Sequence, residues 1–313
     1  MSVSLSWPQA TFSHLLFPTI YNINHKYRCC MLYNNLVESK KPQRVVVVGA
    51  SGFVGSAIVR ALNAKGITVL ELTRKNCDFL KSGAAEQFAN LLRKDDAVVV
   101  TSAMAPCKDP LMLKGNIELA TTIVSSIAKI EPRHVINISS DAVYADTNGL
   151  LTEASPIGAD NFHGVMHLAR ELIFKSEIRG PLAMLRPSLL YGSTDPHNGY
   201  GPNKFRRLAQ SNEIIRLFGN GEEQRDHVFI DDIGELVTLM LLQESEGVLN
   251  AATGVVHTFS KIANMVVDFS DSASTIETTE RIGPMPHNGY RAFDTSLCKS
   301  IFPHFCYTPI ELG

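Results

Sequence analysis

The sequence predicts a doubly wound α/β fold, a parallel sheet with helices on both faces, followed by a small C-terminal lobe. Three observations carry this. Four consecutive valines at 45–48 read as a strand buried on both faces, as in a parallel sheet. Gly49, Gly52 and Gly55 follow at once, and Phe53, Ile58, Val59 and Leu62 then recur at helical spacing. From residue 43 to Pro187, strand-like and helix-like segments alternate, which is the signature of a parallel sheet with crossover helices.

In order, strands are predicted over 44–48, 67–73, 97–101, 134–139 and 183–186, and helices over 53–65, 84–92, 116–129 and 162–178. After Pro187 the texture changes. Residues 188–224 are rich in Gly, Pro and Asn and read as loops over a site. A helix over 231–242 opens with Asp231 and Asp232, acids suited to capping it, and 253–313 holds short helices and strands. Ligands of such a sheet sit at the carboxyl ends of the strands, near the point where strand order reverses.

The glycine spacing is G-x-x-G-x-x-G, not G-x-G-x-x-G. Its position between a buried strand and a helix, with a second strand arriving on schedule, separates it from an ordinary tight turn. A backbone without side chains lets a pyrophosphate approach a helix N-terminus, where amide hydrogens and the helix dipole favour negative charge. A dinucleotide is the expected ligand.

Composition narrows the classes. At 313 residues and 45% hydrophobic, the chain can bury a sizeable core. A net charge of −2 provides no global field for nucleic acid or an anionic membrane. Cys29, Cys30, Cys77, Cys107, Cys298 and Cys306 form no C-x-x-C and no metal spacing, which reads as reduced thiols in a cytoplasmic protein. No apolar run approaches the ~20 residues of a membrane span. Residues 1–42 are expected to be a weakly ordered extension, of which 1–30 lack the basic and apolar regions of a secretory signal and otherwise read as an artefact of start-site choice. The dinucleotide-binding domain is expected over 43–187 plus about 225–250, and the substrate-binding lobe over 188–224 plus about 251–313.

Four segments, taken together, resemble a known family. They are Gly49-Ala-Ser-Gly-Phe-Val-Gly55, Ile138-Ser-Ser-Asp-Ala-Val-Tyr144, Arg186-Pro-Ser-Leu-Leu-Tyr-Gly192 and Gly219-Asn-Gly-Glu-Glu-Gln-Arg225-Asp-His-Val-Phe-Ile-Asp-Asp232. Their order and character are similar to the extended short-chain dehydrogenase/reductases, and within them the nucleotide-sugar epimerase/dehydratase group. The resemblance implies a Rossmann cofactor domain for NAD or NADP, a lobe that holds a nucleotide-diphosphate sugar, and hydride transfer at a sugar carbon. It also implies that Ser140, four residues before the tyrosine of the second segment, polarises the reacting oxygen; a hydroxyl that donates and accepts suits an oxygen alternating between alcohol and ketone. The alternative for Ser140 is a bond to its own backbone. A homodimer through two helices per subunit is common in such folds. The chain stops at Gly313 where relatives often continue into a final helix, and a clipped end would weaken the lobe.

The chain departs from the family at its acid/base pair, a Tyr followed four residues later by a Lys. The matching helix reads His163-Gly-Val-Met-His167-Leu-Ala-Arg-Glu171. Three readings stay open. His163 acts as the acid/base, with an ordinary pKa near ~6.5, and His167 bonds the nicotinamide ribose. Or the chain binds cofactor without turnover. Or His163 and His167 ligate a metal on the helix face that Glu171 continues. Tyr200-Gly-Pro-Asn-Lys204 fits Tyr-x-x-x-Lys, but its Gly-Pro argues against one helix face, and it reads as a substrate loop.

For the cofactor, Leu72-Thr73-Arg74-Lys75 ends the second strand with two cations and no acid, which favours NADP over NAD. The resemblance places Asp78 at the adenine; Ser102, Ala103 and Met104 are expected along the cofactor because they follow the next buried strand, with Pro187 and the turn residues Gly49, Ser51, Gly52, Phe53, Val54 and Gly55. The resemblance also implies Arg225 as the diphosphate ligand, and a guanidinium is suited to bidentate phosphate binding; the alternative is an ion pair with Asp226 or Asp231. Asp141, Asn198, Asn203 and Arg291 complete the candidate substrate residues.

Overall fold

The computed structural model describes residues 31–313. The expectation for residues 1–30 lies outside the described residues.

The first strand is β1 (Tyr33–Asn34), followed by β2 (Val45–Val48), α1 (Phe53–Ala64), β3 (Val69–Leu72), α2 (Ala84–Leu91) and β4 (Ala97–Val100). Then come α3 (Pro110–Ile130), β5 (His134–Ile138), α4 (Phe162–Glu177) and β6 (Leu182–Pro187). The second half holds β7 (Leu189–Tyr191), α5 (Pro202–Gln210), β8 (Ile215–Phe218), β9 (Gln224–Phe229), α6 (Ile230–Leu242) and β10 (Ser245–Ala251). It ends with β11 (Val256–Thr258), α7 (Phe259–Phe269), β12 (Ile276–Thr279), β13 (Tyr290–Arg291) and α8 (Ser296–Ile301).

The main sheet has seven strands in the order β1-β10-β6-β5-β4-β2-β3. All pairs are parallel except β1 with β10. Val45 and Val47 point to a layer with Ile58, Leu62, Ile233 and Val237 of α1 and α6. Val46 and Val48 point to the opposite layer, with Phe88, Ile123, Ile127 and Phe174 of α2, α3 and α4. Period-two alternation with both faces apolar explains why the valine run carries no polar residue. The chain leaves β2 toward β3 and returns past it to β4, so strand order reverses between β2 and β4, where ligands of this fold class bind.

Three local expectations are corrected. Residues 31–42, expected as part of a weakly ordered extension, include β1, which pairs with β10 through Tyr33–Glu246 and Asn34–Ser245 while Leu32 is buried in the core. The third helix begins at Pro110, not 116; the Asp109 side chain accepts the Met112 N–H and Pro110 takes the first position, a start signal in full. Residues 188–224 are not loops alone. They contain β7, α5 and β8, and α5 starts with Pro202 directly after Gly201. Phe205, Ile215 and Leu217 pack with Phe259, Ile262 and Ala263 of α7 as the core of the small lobe. Gly, Pro and Asn mark the helix start rather than an absence of structure.

The helix at Ile230 also begins differently than expected. No side chain caps it. Asp231 pairs with Arg60 of α1, and Asp232 accepts both the N–H and the hydroxyl of Thr308.

Candidate active site

The turn after β2 is shaped by two glycines. Gly49 has φ +93°, and a Cβ there would lie 2.6 Å from the Thr101 hydroxyl and 2.9 Å from the Ser102 nitrogen. A Cβ on Gly55 would lie 2.1 Å from the Gly49 carbonyl oxygen. Gly55 therefore lets α1 close down on the turn, and Gly49 lets the turn pass beside the β4 loop. Helix α1 starts at Gly52 without a side-chain cap, and no acid lies in its first turn. Its leading amides are left for a ligand, in the way anion sites at helix ends are made.

Two cavities meet at this turn. One, of about 860 Å3, runs between the glycines and the end of β3, past Arg74, Lys75 and Asp78, with Thr101, Ser102, Ala103 and Met104 as its far wall. The other, of about 650 Å3, runs from Phe53, Val54 and Gly55 to the ends of β5 and β6. Gly52, Thr101 and Ala103 line both, so the two are halves of one trough over the switch point. Every cofactor candidate from the sequence, including Ser51, His167 and Pro187, lies on this trough.

The second half carries Ser140, Asp141, His163 and His167. Asn161 caps α4 by accepting the Gly164 N–H, which fixes where His163 and His167 emerge. A Cβ on Gly164 would sit 2.2 Å from the Ala142 carbonyl, so α4 rests against the Ser140 turn. The Ser140 hydroxyl accepts the Ala142 N–H at 3.1 Å and donates to the Asp141 carboxylate at 3.3 Å. The backbone bond weighed for Ser140 is present, and the side chain still lines the cavity.

The two imidazoles meet edge to face, with ring centres 4.8 Å apart. The Cys107 N–H approaches Nδ1 of His163 at 3.5 Å, a long contact. Burial lowers the His163 pKa, Asp141 opposes that and His197 adds to it. Burial likewise holds His167 well below the ordinary value, with His163 and Arg170 adding to the effect. Both rings are neutral at pH 7. Nδ1 of His167 is buried without a partner. Glu171, the third member of a metal face, is turned away onto Arg186, Lys175 and Ser139. Among the described residues no three His, Cys, Asp or Glu side chains are grouped to hold a metal ion.

The substrate candidates divide. Arg225 lines the cavity, with its Nε donating to Glu223 at 2.7 Å rather than to Asp226 or Asp231. Asn203 also lines it, but its amide is committed: the oxygen accepts the Gly192 N–H and the nitrogen donates to Asp195. Asn198 lies off the cavity lining and accepts from Arg207. Arg291 is buried away from the lining as well. Its guanidinium donates to the Asp141 carboxylate at 2.7 Å, to the Asp141 carbonyl and to Asp146. An arginine that looks free in a sequence is claimed by acids 145–150 positions away, and Asp141 is thereby oriented from behind.

Tyr200 is not one half of a helical pair. It precedes α5, packs on Phe205, Phe218 and Phe259, and its oxygen accepts the Phe218 N–H. Motif reading missed His197, His227 and His287, which share the cavity with His163 and His167. They come from three separate segments, so no spacing could have joined them. Arg170, also missed, lies behind the wall.

The sequence profile of the NAD dependent epimerase/dehydratase family matches residues 45–252. Among solved structures, MoeE5 in complex with UDP-glucuronic acid and NAD superposes with a TM-score of 0.75 at 19% identity, over 86% of this chain and 96% of that one. A UDP-N-acetylglucosamine 4-epimerase from Methanobrevibacter ruminantium gives 0.72 at 22% identity, over 87% and 94%. A UDP-glucuronic acid 4-epimerase from Bacillus cereus gives 0.72 at 18%, over 86% and 95%. These identities establish a shared fold. The profile spans both walls of the trough and most of the described chain, and on that ground the chain belongs to the NAD dependent epimerase/dehydratase family.

Proposed function

We propose that the protein is an NAD(P)-dependent epimerase or ketoreductase acting on a nucleotide-diphosphate sugar. One observation carries the reading: the trough is continuous from Arg74, past the uncapped start of α1, to Ser140 and His163. Its two halves, of about 860 and 650 Å3, are in the size range of cofactor and ligand sites. The solved relatives with UDP-glucuronic acid and NAD supply the substrate class.

The residues divide the work. Amides at the start of α1 take the pyrophosphate, and Gly49, Gly52 and Gly55 give it room. Arg74 and Lys75 flank the adenosine ribose, where two cations and no acid favour the extra phosphate of NADP; Asp78 faces the adenine. Ser102, Ala103, Met104 and Pro187 form the walls, and His167 bonds the nicotinamide ribose. When bound, a dinucleotide there would supply the hydride acceptor and donor. Ser140 hydrogen-bonds the reacting sugar oxygen, and His163 moves its proton through Nε2, the nitrogen not facing Cys107. Arg225 turns its terminal donors to the diphosphate, while Glu223 holds its Nε.

A second reading, binding without turnover, is favoured by the same Cys107 contact. An N–H aimed at Nδ1 keeps the ring proton on Nε2, and His163 accepts a proton there only after moving it. Denaturing the purified protein and identifying any nicotinamide cofactor released, then titrating the emptied protein with NAD and NADPH, tests the proposal. Tightly held NAD indicates an internal redox cycle and hence an epimerase. Uptake of NADPH by an empty site indicates a reductase. Turnover of UDP-sugars by wild type, lost in His163→Ala, separates enzyme from binder. A homodimer through α3 and α4 fits the exposed Leu111, Phe162, Val165 and Leu172; light scattering of Leu172→Glu, compared with wild type, checks it.

A further inference from the structure

Arg170 is the largest fully buried side chain of the described residues. It lies on α4, nearly one turn beyond His167. Among the described residues its guanidinium has no carboxylate partner. One terminal nitrogen donates to the Ser102 carbonyl at 2.7 Å, the other to the Asn137 side-chain oxygen at 3.0 Å, and Nε has no partner. The adjacent Glu171 points the other way and is shared by Arg186, Lys175 and Ser139. His167 is the titratable neighbour on the same helix, with His163 stacked on it; Ser102 and Asn137, from the β4 loop and β5, are neutral.

A buried cation compensated by dipoles alone is costly, and an apolar side chain of the same volume would fill the space without that cost. Both of its partners bear on the trough. Ser102 belongs to the 101–104 wall, and Asn137 lies on β5, whose end at Ile138 leads directly into Ser139 and Ser140. A dinucleotide with its pyrophosphate at α1 and its adenosine toward Arg74 sends its other half along Ala103 to His167 and Pro187. Arg170, nearly one turn past His167 on α4 and bonded to the Ser102 carbonyl, lies behind the wall where the two halves join. Oxidised nicotinamide is positively charged and reduced nicotinamide is neutral, so a fixed cation behind the wall disfavours the oxidised ring relative to the reduced one.

Resting on the cofactor reading above, we infer that Arg170 is a positioning residue that ties the 101–104 wall to β5 and makes the site hold the reduced dinucleotide more tightly than the oxidised one. It supplies, from within the helix core, a positive charge that two neutral imidazoles do not.

The test is binding, not turnover. The full chain, freed of nucleotide, is titrated with NADH and NAD, and with NADPH and NADP. Wild type is expected to bind the reduced form about tenfold more tightly, which is about 30 mV for a two-electron couple. Arg170→Gln brings the ratio close to one. Arg170→Lys keeps the charge and the ratio while weakening both forms together, because one of the two ties is lost. A wild-type ratio within twofold of one, or the wild-type ratio retained in Arg170→Gln, overturns the inference while leaving the cofactor reading intact. If Arg170→Gln does not fold, the wild-type ratio and Arg170→Lys decide. A wild type that takes up neither form removes the cofactor reading, and this inference with it.

Discussion

The two sides of α4 are built on opposite principles. On one side Glu171 accepts from Ser139, from Arg186 twice and from Lys175. Arg186 donates onward to the Tyr144 oxygen, which donates to Asn250, whose backbone N–H is held by Glu153. On the other side His167 and Arg170 each keep a buried nitrogen without a partner, and across the cavity both ring nitrogens of His227 are in the same state. Buried polar groups are nearly always paired; the Glu171 network leaves one such atom, Asn250 Nδ2, whereas the unpaired ring nitrogens of His167 and His227 belong to residues that line the trough, where a ligand would complete them. The Glu171 side closes the interior; the His167 side waits for something outside the chain.

The contrast can be broken from either side. His163→Ala is expected to lower sugar-nucleotide turnover by about 10²–10⁴-fold with an unchanged unfolding midpoint, measured by steady-state kinetics beside a urea melt. Full activity in that variant would remove His163 from the chemistry. Glu171→Ala should do the reverse. It strands the Arg186 charge and is expected to cost about 3–5 kcal/mol of unfolding free energy in urea; a loss below ~1 kcal/mol would show that the network is not what holds the interior.

Acid should act on the unpaired side. Burial depresses the pKa of His227 to about 3 and of His134 to about 4, and lowers those of His163 and His167. The unfolded chain, at ~6.5, binds protons that the folded chain refuses, so stability is complete above pH 6.5 and is lost as pH falls below it. His227 and His134 are each expected to contribute about 2 kcal/mol of loss between pH 6.5 and pH 5. Melts of His227→Phe across that range should show a shallower slope; an unaltered slope would mean that His227 already finds a partner. The smallest effect sharpens the cofactor half. Arg74→Ala is expected to weaken NADPH by about tenfold, ~1.4 kcal/mol, and NAD not at all. Equal weakening of both would end the argument for a phosphate at that strand end.

The cofactor half of the trough was legible because local rules govern it. A valine run, a strand-to-helix turn and the glycines that such a turn needs are all contiguous, and every cofactor candidate lies on the lining. The substrate half was less so. Arg225, Arg291 and Asn203 are chemically apt in a sequence, but Glu223, Asp141 and Asp195 claim them across distances that spacing does not reveal. Arg170 carried no signal, since a single arginine on a helix reads as solvated until its burial is seen. The start of α3 is different: Asp109 and Pro110 announce it, ahead of the apolar periodicity that begins later in the helix.

The short strand β1 has a consequence for the molecule among its neighbours. Without it, β10 would be the rim of the sheet, with a seven-residue row of backbone donors and acceptors open along one side. Tyr33 and Asn34 cover part of that row, running opposite to the other strands, and Met31 and Leu32 extend the cover, with a bridge from Met31 to Val248 and the Leu32 N–H on the Val248 carbonyl. They serve as a hem. A chain trimmed to begin at residue 43 would keep the trough intact and bare the β10 rim, and open rims recruit strands from other molecules. Such a shortened chain should lose solubility before it loses the ability to bind.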